Sequence, residues 1–114
     1  NSIYEVMTMI NKQEGEIKVS KEVVNTIVKL SIDEVDSVAE FSHNYNKKHK
    51  TLQVKINDNN VWVNAYIALY YGNNIQKEVE KVQENIINSV QTMLNLKVKT
   101  VNICVKDIVL KEEK

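Results

Sequence analysis

Two apolar runs of alternating parity, held apart by Asn57-Asp58-Asn59-Asn60, constrain this chain more than any other feature in it. Leu52, Val54 and Ile56 alternate with Gln53, Lys55 and Asn57, so an extended segment here has one apolar face and one wet face. Asn and Asp tolerate left-handed backbone angles, so the four residues that follow read as a turn, and the chain returns along a second arm over 61–71. On that arm Val61, Val63, Ala65, Ile67 and Leu69 share one face, and Trp62, Asn64, Tyr66, Ala68 and Tyr70 share the other. Both faces are partly apolar, which predicts a central strand in a sheet. A hairpin of this kind must bury an apolar face, and the rest of the chain has to supply the second layer.

The spacing supplies two helices. After Gly15, the alternation of residues 16–19 reads as a short strand, and Ser20 stands where an N-cap hydroxyl satisfies a free N–H of a first turn. Val23, Val24, Ile27, Val28 and Leu30 recur at helical spacing behind it, with Glu22 at the positive end of the dipole and an end expected near 33–37. Residues 42–50 are polar and read as a surface loop. Past Gly72, Asn73 or Asn74 caps a second helix whose stripe is Ile75, Val79, Val82, Ile86, Val90 and Met93, and Asn95 takes the left-handed position at its end, with Leu96 folding back. Val101, Ile103 and Val105 alternate as a last strand, while Val98 falls on the other parity, so the strand starts after it or a bulge intervenes. The order is β-α-β-β-α-β. Its simplest closure is a single α+β domain, a split βαβ, ferredoxin-like arrangement with two helices on one face of a mostly antiparallel sheet. The domain is expected over 15–110, with 1–14 as an N-terminal extension and 111–114 as a frayed tail.

Composition bears mainly on compartment and partners. The chain has 114 residues, 43% of them hydrophobic, which suits one domain. Its 15 basic and 15 acidic residues cancel, so no global field draws it to nucleic acid or an anionic membrane. Cys104 is the single cysteine and has no partner for an internal disulfide, no charged-then-apolar leader opens the chain, and no apolar run approaches the roughly 20 residues of a membrane-spanning helix. The expected place is the cytoplasm.

A search for catalytic groups returns none. Cys104 lies mid-strand with no base forced near it, and His43 and His49 lack further ligands at zinc-site spacing. Gly15 and Gly72 are the only glycines, so no phosphate-binding loop can be written. The carboxylate pairs Glu78 and Glu80, Asp33 and Asp36, and Glu112 and Glu113 read as solvated faces. No cofactor or metal is expected. The row Trp62, Tyr66, Tyr70 is the one feature with binding character. It is similar to the base-stacking faces of RNA-recognition domains, with Lys47, Lys48 and Lys50 at its edge, but no basic stripe accompanies it and the first strand adds no aromatic residue. Trp and Tyr on a flat face equally suit a protein interface, and coverage of that face or self-association is the preferred reading.

Gly15-Glu16-Ile17-Lys18-Val19-Ser20-Lys21-Glu22-Val23-Val24 resembles the opening of the alkaline shock protein family. Tyr71-Gly72, Ile75, Val79, Val82-Gln83-Glu84-Asn85, Val90, Met93, Leu96, Val98, Val101-Asn102-Ile103 and Val105 resemble its closing half. The likeness runs over 15–109 and rests on order and spacing. Two departures stand out: residues 39–50 replace a segment that is often glycine-rich, and Asn95 stands where glycine is usual. The resemblance implies a small cytoplasmic bacterial protein linked to cell-envelope stress homeostasis, without enzymatic activity. It also implies self-association, and attachment near the membrane through a membrane-protein partner. An RNA-binding module, or an accessory subunit of a neighbouring enzyme, is the alternative.

Overall fold

The computed structural model describes residues 18–39, 41 and 51–111. The expected N-terminal extension, the polar loop 42–50 with His43, His49, Lys47, Lys48 and Lys50, and residues 112–114 with Glu112 and Glu113 lie outside them. So do Glu16 and Ile17 of the expected first strand, whose remaining residues Lys18 and Val19 are irregular, with Val19 packed against the core.

The first helix, α1, is Lys21–Asp33, and Ser20 caps it by accepting the Val23 N–H at 3.2 Å. Val24, Ile27, Val28 and Ile32 are buried on one stripe, and the Ser31 hydroxyl, buried with them, donates to Ile27 O at 2.7 Å. Leu30 was expected on the stripe but is 53% exposed. Two steps of roughly 100° separate it from Val28, which turns it to the far side, and Ile32 takes the inner place.

The hairpin follows: β1, Leu52–Asn57, pairs antiparallel with β2, Asn60–Tyr70, from Leu52↔Ala65 to Asn57↔Asn60. Its turn residues Asp58 and Asn59 have φ of 50° and 65°, the pair of left-handed angles of a type I′ turn. Beyond β1, the same edge of β2 is completed by residues 37–39, where Ala39 N–H donates to Ala68 O and Tyr70 N–H to Ser37 O, at 2.9 and 2.8 Å.

Gly72 (φ 101°) turns the chain, and Asn74 caps the second helix, α2, Ile75–Leu94, by accepting the Lys77 N–H. Val82, Ile86, Val90 and Leu94 are its buried stripe, whereas Ile75 and Met93, expected on it, are exposed at its two ends. Asn95 takes the left-handed cap, φ 55°, and Leu96 is buried behind it.

The last strand, β3, is Lys97–Val109, and it runs parallel to β2. Two register shifts leave Lys99 and Lys106 out of the ladder, and the first brings Val98 abreast of Val61, which resolves its parity as a bulge. The sheet order is β1-β2-β3, with α1 over β1, α2 over β3, and the helices against each other. β2 therefore lies beneath both, and its inner residues Val61, Val63, Ala65, Ile67 and Leu69 are essentially inaccessible. The α+β class and the two-helix layer are as the sequence predicts. Of the two ladders one is antiparallel and one parallel, because the closing strand, delivered by the α2 crossover, lies directly beside the second hairpin arm.

Candidate functional site: the sheet face opposite the helices

Side chains alternate across a strand, so the residues between those of the core emerge on the face opposite the helices. On β2 these are Trp62, Asn64, Tyr66, Ala68 and Tyr70. The structure thus brings Trp62, Tyr66 and Tyr70, the expected contact residues, into one row down the central strand. Tyr66 is 45% exposed, and Trp62 and Tyr70 are half-buried. Their difference has a cause. Lys55, abreast of Trp62 on β1, places its Nζ 5.6 Å from the ring centroid, and Lys111 does the same over Tyr70 at 5.5 Å.

The row is not continuous. Asn102, abreast of Asn64 on β3, donates its side-chain amide to Asn64 Oδ1 at 2.9 Å and sets a polar pair between Trp62 and Tyr66. Gln53 stands on the β1 side of Asn64, and Thr100 and the exposed Cys104 border Trp62 and Tyr66 on β3. A groove of about 700 Å³ along Gln53, Lys55, Trp62 and Asn64 reaches round β1 to Lys21 and Asn25 on α1. The Oδ1 of Asn25 is buried without a hydrogen-bond partner. Asn64 shares the parity of the aromatic residues and was legible as a member of this face. The contributions of Asn102 and Lys55 depend on strand register, which periodicity does not supply.

A second polar cluster lies on the helical side. Glu78 reads in the sequence as part of a solvated face, but it is 8% exposed, being four residues before Val82 and hence on the buried stripe. Its Oε1 accepts from the Ser37 hydroxyl at 2.7 Å, and Lys81 Nζ stands 3.1 Å from Oε2. Asn85, two turns along, donates to Ser31 O at 2.6 Å. These bonds tie α1 and the turn after it to α2. The Ser37 hydrogen bond and, after it, Lys81 hold the Glu78 carboxyl below the ordinary carboxylate range, so it is a paired anion, unsuited to carrying a proton in catalysis. Glu80, Asp33 and Asp36 are exposed. Among the described residues no group of three or more His, Cys, Asp or Glu is placed to hold a metal ion, and no helix is long and apolar enough to cross a membrane.

Known proteins share this architecture. Two variants of the MamM CTD, one of them in a copper form, superpose with a TM-score of 0.52 at 12% identity, covering 77% of this chain and 98% of theirs. At that identity the likeness is one of fold. An uncharacterized protein of Bacillus subtilis (strain 168), YqhY, is similar to this chain at 28% identity, over 78% of this chain and 73% of its own length. Residues 9–110 match the family described as the alkaline shock protein 23 family, cell envelope-related function, and with nearly the whole chain so matched, the protein belongs to that family.

Proposed function

We infer that this chain has no chemistry of its own and serves as a self-associating scaffold or adaptor within the cell envelope-related function of its family. What carries the reading is the aromatic row Trp62, Tyr66 and Tyr70 on a sheet face that neither helix covers. Trp and Tyr bring large, rigid contact area at small entropic cost, and such residues dominate the binding free energy of protein interfaces. The lysines above Trp62 and Tyr70 occupy ring faces on which nucleic-acid bases would stack, which favours a protein partner over RNA. A membrane-protein anchor, holding the chain on the cytoplasmic side, is the partner class consistent with this role.

The test is light-scattering mass on a size-exclusion column across a concentration series, for the wild type and Trp62→Glu. The expected result is a wild-type oligomer whose mass falls on substitution while the far-ultraviolet spectrum is unchanged. An unchanged mass overturns the assignment of the face. A wild-type monomer at every concentration overturns self-association.

A further inference from the structure

β3 ends the sheet, and no strand lies against its outer edge among the described residues. A strand edge is a row of N–H and C=O groups that pairs readily with another extended chain. In β2 the N–H groups of Tyr66 and Tyr70 donate toward Thr51 O and Ser37 O, on the β1 side, so the odd-numbered residues of β2 turn theirs toward β3. In a parallel ladder the residue abreast of each of these turns away. Abreast of Val61, Val63, Ala65, Ile67 and Leu69 stand Val98, Val101, Ile103, Val105 and Ile108, whose backbone groups therefore point to the open edge. One bond agrees directly: the side-chain amide of Gln83 donates to Val101 O at 3.0 Å, occupying a carbonyl that β2 does not use.

The edge is built for a strand. Between the bulges at Lys99 and Lys106 run six uncharged residues, Thr100 to Val105, four of them β-branched, whereas the opposite edge strand β1 carries Lys55 in its middle. The inner side chains Val98, Val101, Ile103 and Val105 are only half-buried, since among the described residues α2 is the helix that covers them, while those of β2 are closed off.

The geometry points to a second copy of this chain as the occupant, its β3 laid antiparallel to this one about a twofold axis at Ile103. The inference rests on the self-association proposed above and locates one of its contacts. In this register outward-turned residues meet outward-turned residues: Ile103 faces itself, Val101 faces Val105, and Val98 faces Ile108 of the other copy. The two bulges fall side by side, so the ladder continues past them. Lys99 of each copy comes opposite Asp107 of the other, giving two symmetric ion pairs, as an isologous contact requires. Moving the axis to Asn102 sets Lys99 against Val105, and moving it to Cys104 sets Lys99 against Val109, with both ion pairs lost. Gln83 acts as a stand-in on Val101 O in the single chain and yields to the Val105 N–H of the partner copy.

The register has a covalent readout. Asn102 and Cys104 both turn their backbone to β2, so across the axis they form a non-hydrogen-bonded pair with Cα atoms about 4.5 Å apart, within disulfide reach. Asn102→Cys is treated with oxidised glutathione beside the wild type and Asn102→Cys/Cys104→Ser. The expected result is a thiol-reducible covalent dimer for Asn102→Cys alone. If the wild type associates but Asn102→Cys gives no covalent dimer, or if Cys104 alone links the wild type, the proposed pairing falls and self-association stands. If the wild type is monomeric by light scattering at every concentration, both fall. Because Asn102→Cys removes the bond to Asn64, Ile103→Pro is measured as well: it deletes one outward N–H and leaves the β2 ladder intact. Association is expected to weaken by about tenfold in that variant, and undiminished association with an unchanged circular dichroism spectrum overturns the proposal.

Discussion

Glu78 shows how a single side chain couples the fold to pH. It is the charged residue that the structure buries among those described, and its carboxylate is held by the Ser37 hydroxyl and by Lys81. These contacts lower its pKa in the folded state from the ordinary 4.5, so folding favours the charged form. The stabilisation is accordingly full above the unfolded pKa and is lost as pH falls through the folded one. Glu78→Gln is expected to lower Tm at neutral pH, with the gap to the wild type closing as pH falls below 4.5 and through the lowered folded-state pKa, where the wild-type carboxyl takes up its proton. Thermal melts followed by circular dichroism across that range check it, and a gap that stays constant with pH contradicts the role given to the charge. The aromatic residues are different in kind. Trp62 and Tyr70 are shaped by neighbours on β1 and after β3 that only the register brings to them.

At the scale of elements, the hairpin and the caps are local objects with local causes. Asp58 and Asn59 hold left-handed angles that other L-residues adopt at a cost of about 1–2 kcal/mol, which Asn and Asp reduce through short-range polar contacts. The turn is further tied by its neighbour: the Asn60 side-chain amide donates to Asp58 O at 3.1 Å. Asn59→Val is expected to destabilise the protein by about 1–2 kcal/mol, and Asn59→Gly to keep or raise its stability. The urea midpoint measures both, and equal midpoints for the two variants contradict the turn assignment. The helices depend less on themselves. α1 is rich in β-branched residues, Val24, Ile27, Val28 and Ile32 among them, and is held by burial against the sheet. Its stripe is legible as a periodicity, but Ile32 holds the inner place that the sequence reading gives to Leu30, because the centre of a stripe is set by the surface it meets.

For the whole molecule, what matters is which surfaces three strands and two helices leave unfinished. One layer of helices covers one face of the sheet, so among the described residues the face with Trp62, Tyr66 and Tyr70 and the outer edge of β3 both remain open. The proposed edge contact is electrostatically specific. Lys99→Asp is expected to weaken pairing between copies by about fivefold at low salt, and adding Asp107→Lys is expected to restore it. Sedimentation at several concentrations reads both, and a double variant as weak as the single one contradicts the register. The face and the edge are separate surfaces, so the proposed self-association has two distinct contacts to draw on.

The sequence by itself determined what depends on neighbours a few residues apart: the turn of left-handed residues in the hairpin, the Ser20 cap, a cap at Asn73 or Asn74, the left-handed Asn95, and the alternation that places Trp62, Tyr66 and Tyr70 on one side. These are set by backbone sterics and short-range hydrogen bonds, which act wherever the residues occur. Only the tertiary structure decided that β3 runs parallel beside β2, that Glu78 is inside and Ile75 and Met93 are outside, and that Asn102 meets Asn64 across the open face. Those outcomes depend on strand order, register and the orientation of each helix against the sheet. Each is chosen by burial and pairing summed over residues far apart in the chain, and periodicity within one segment carries no record of that sum.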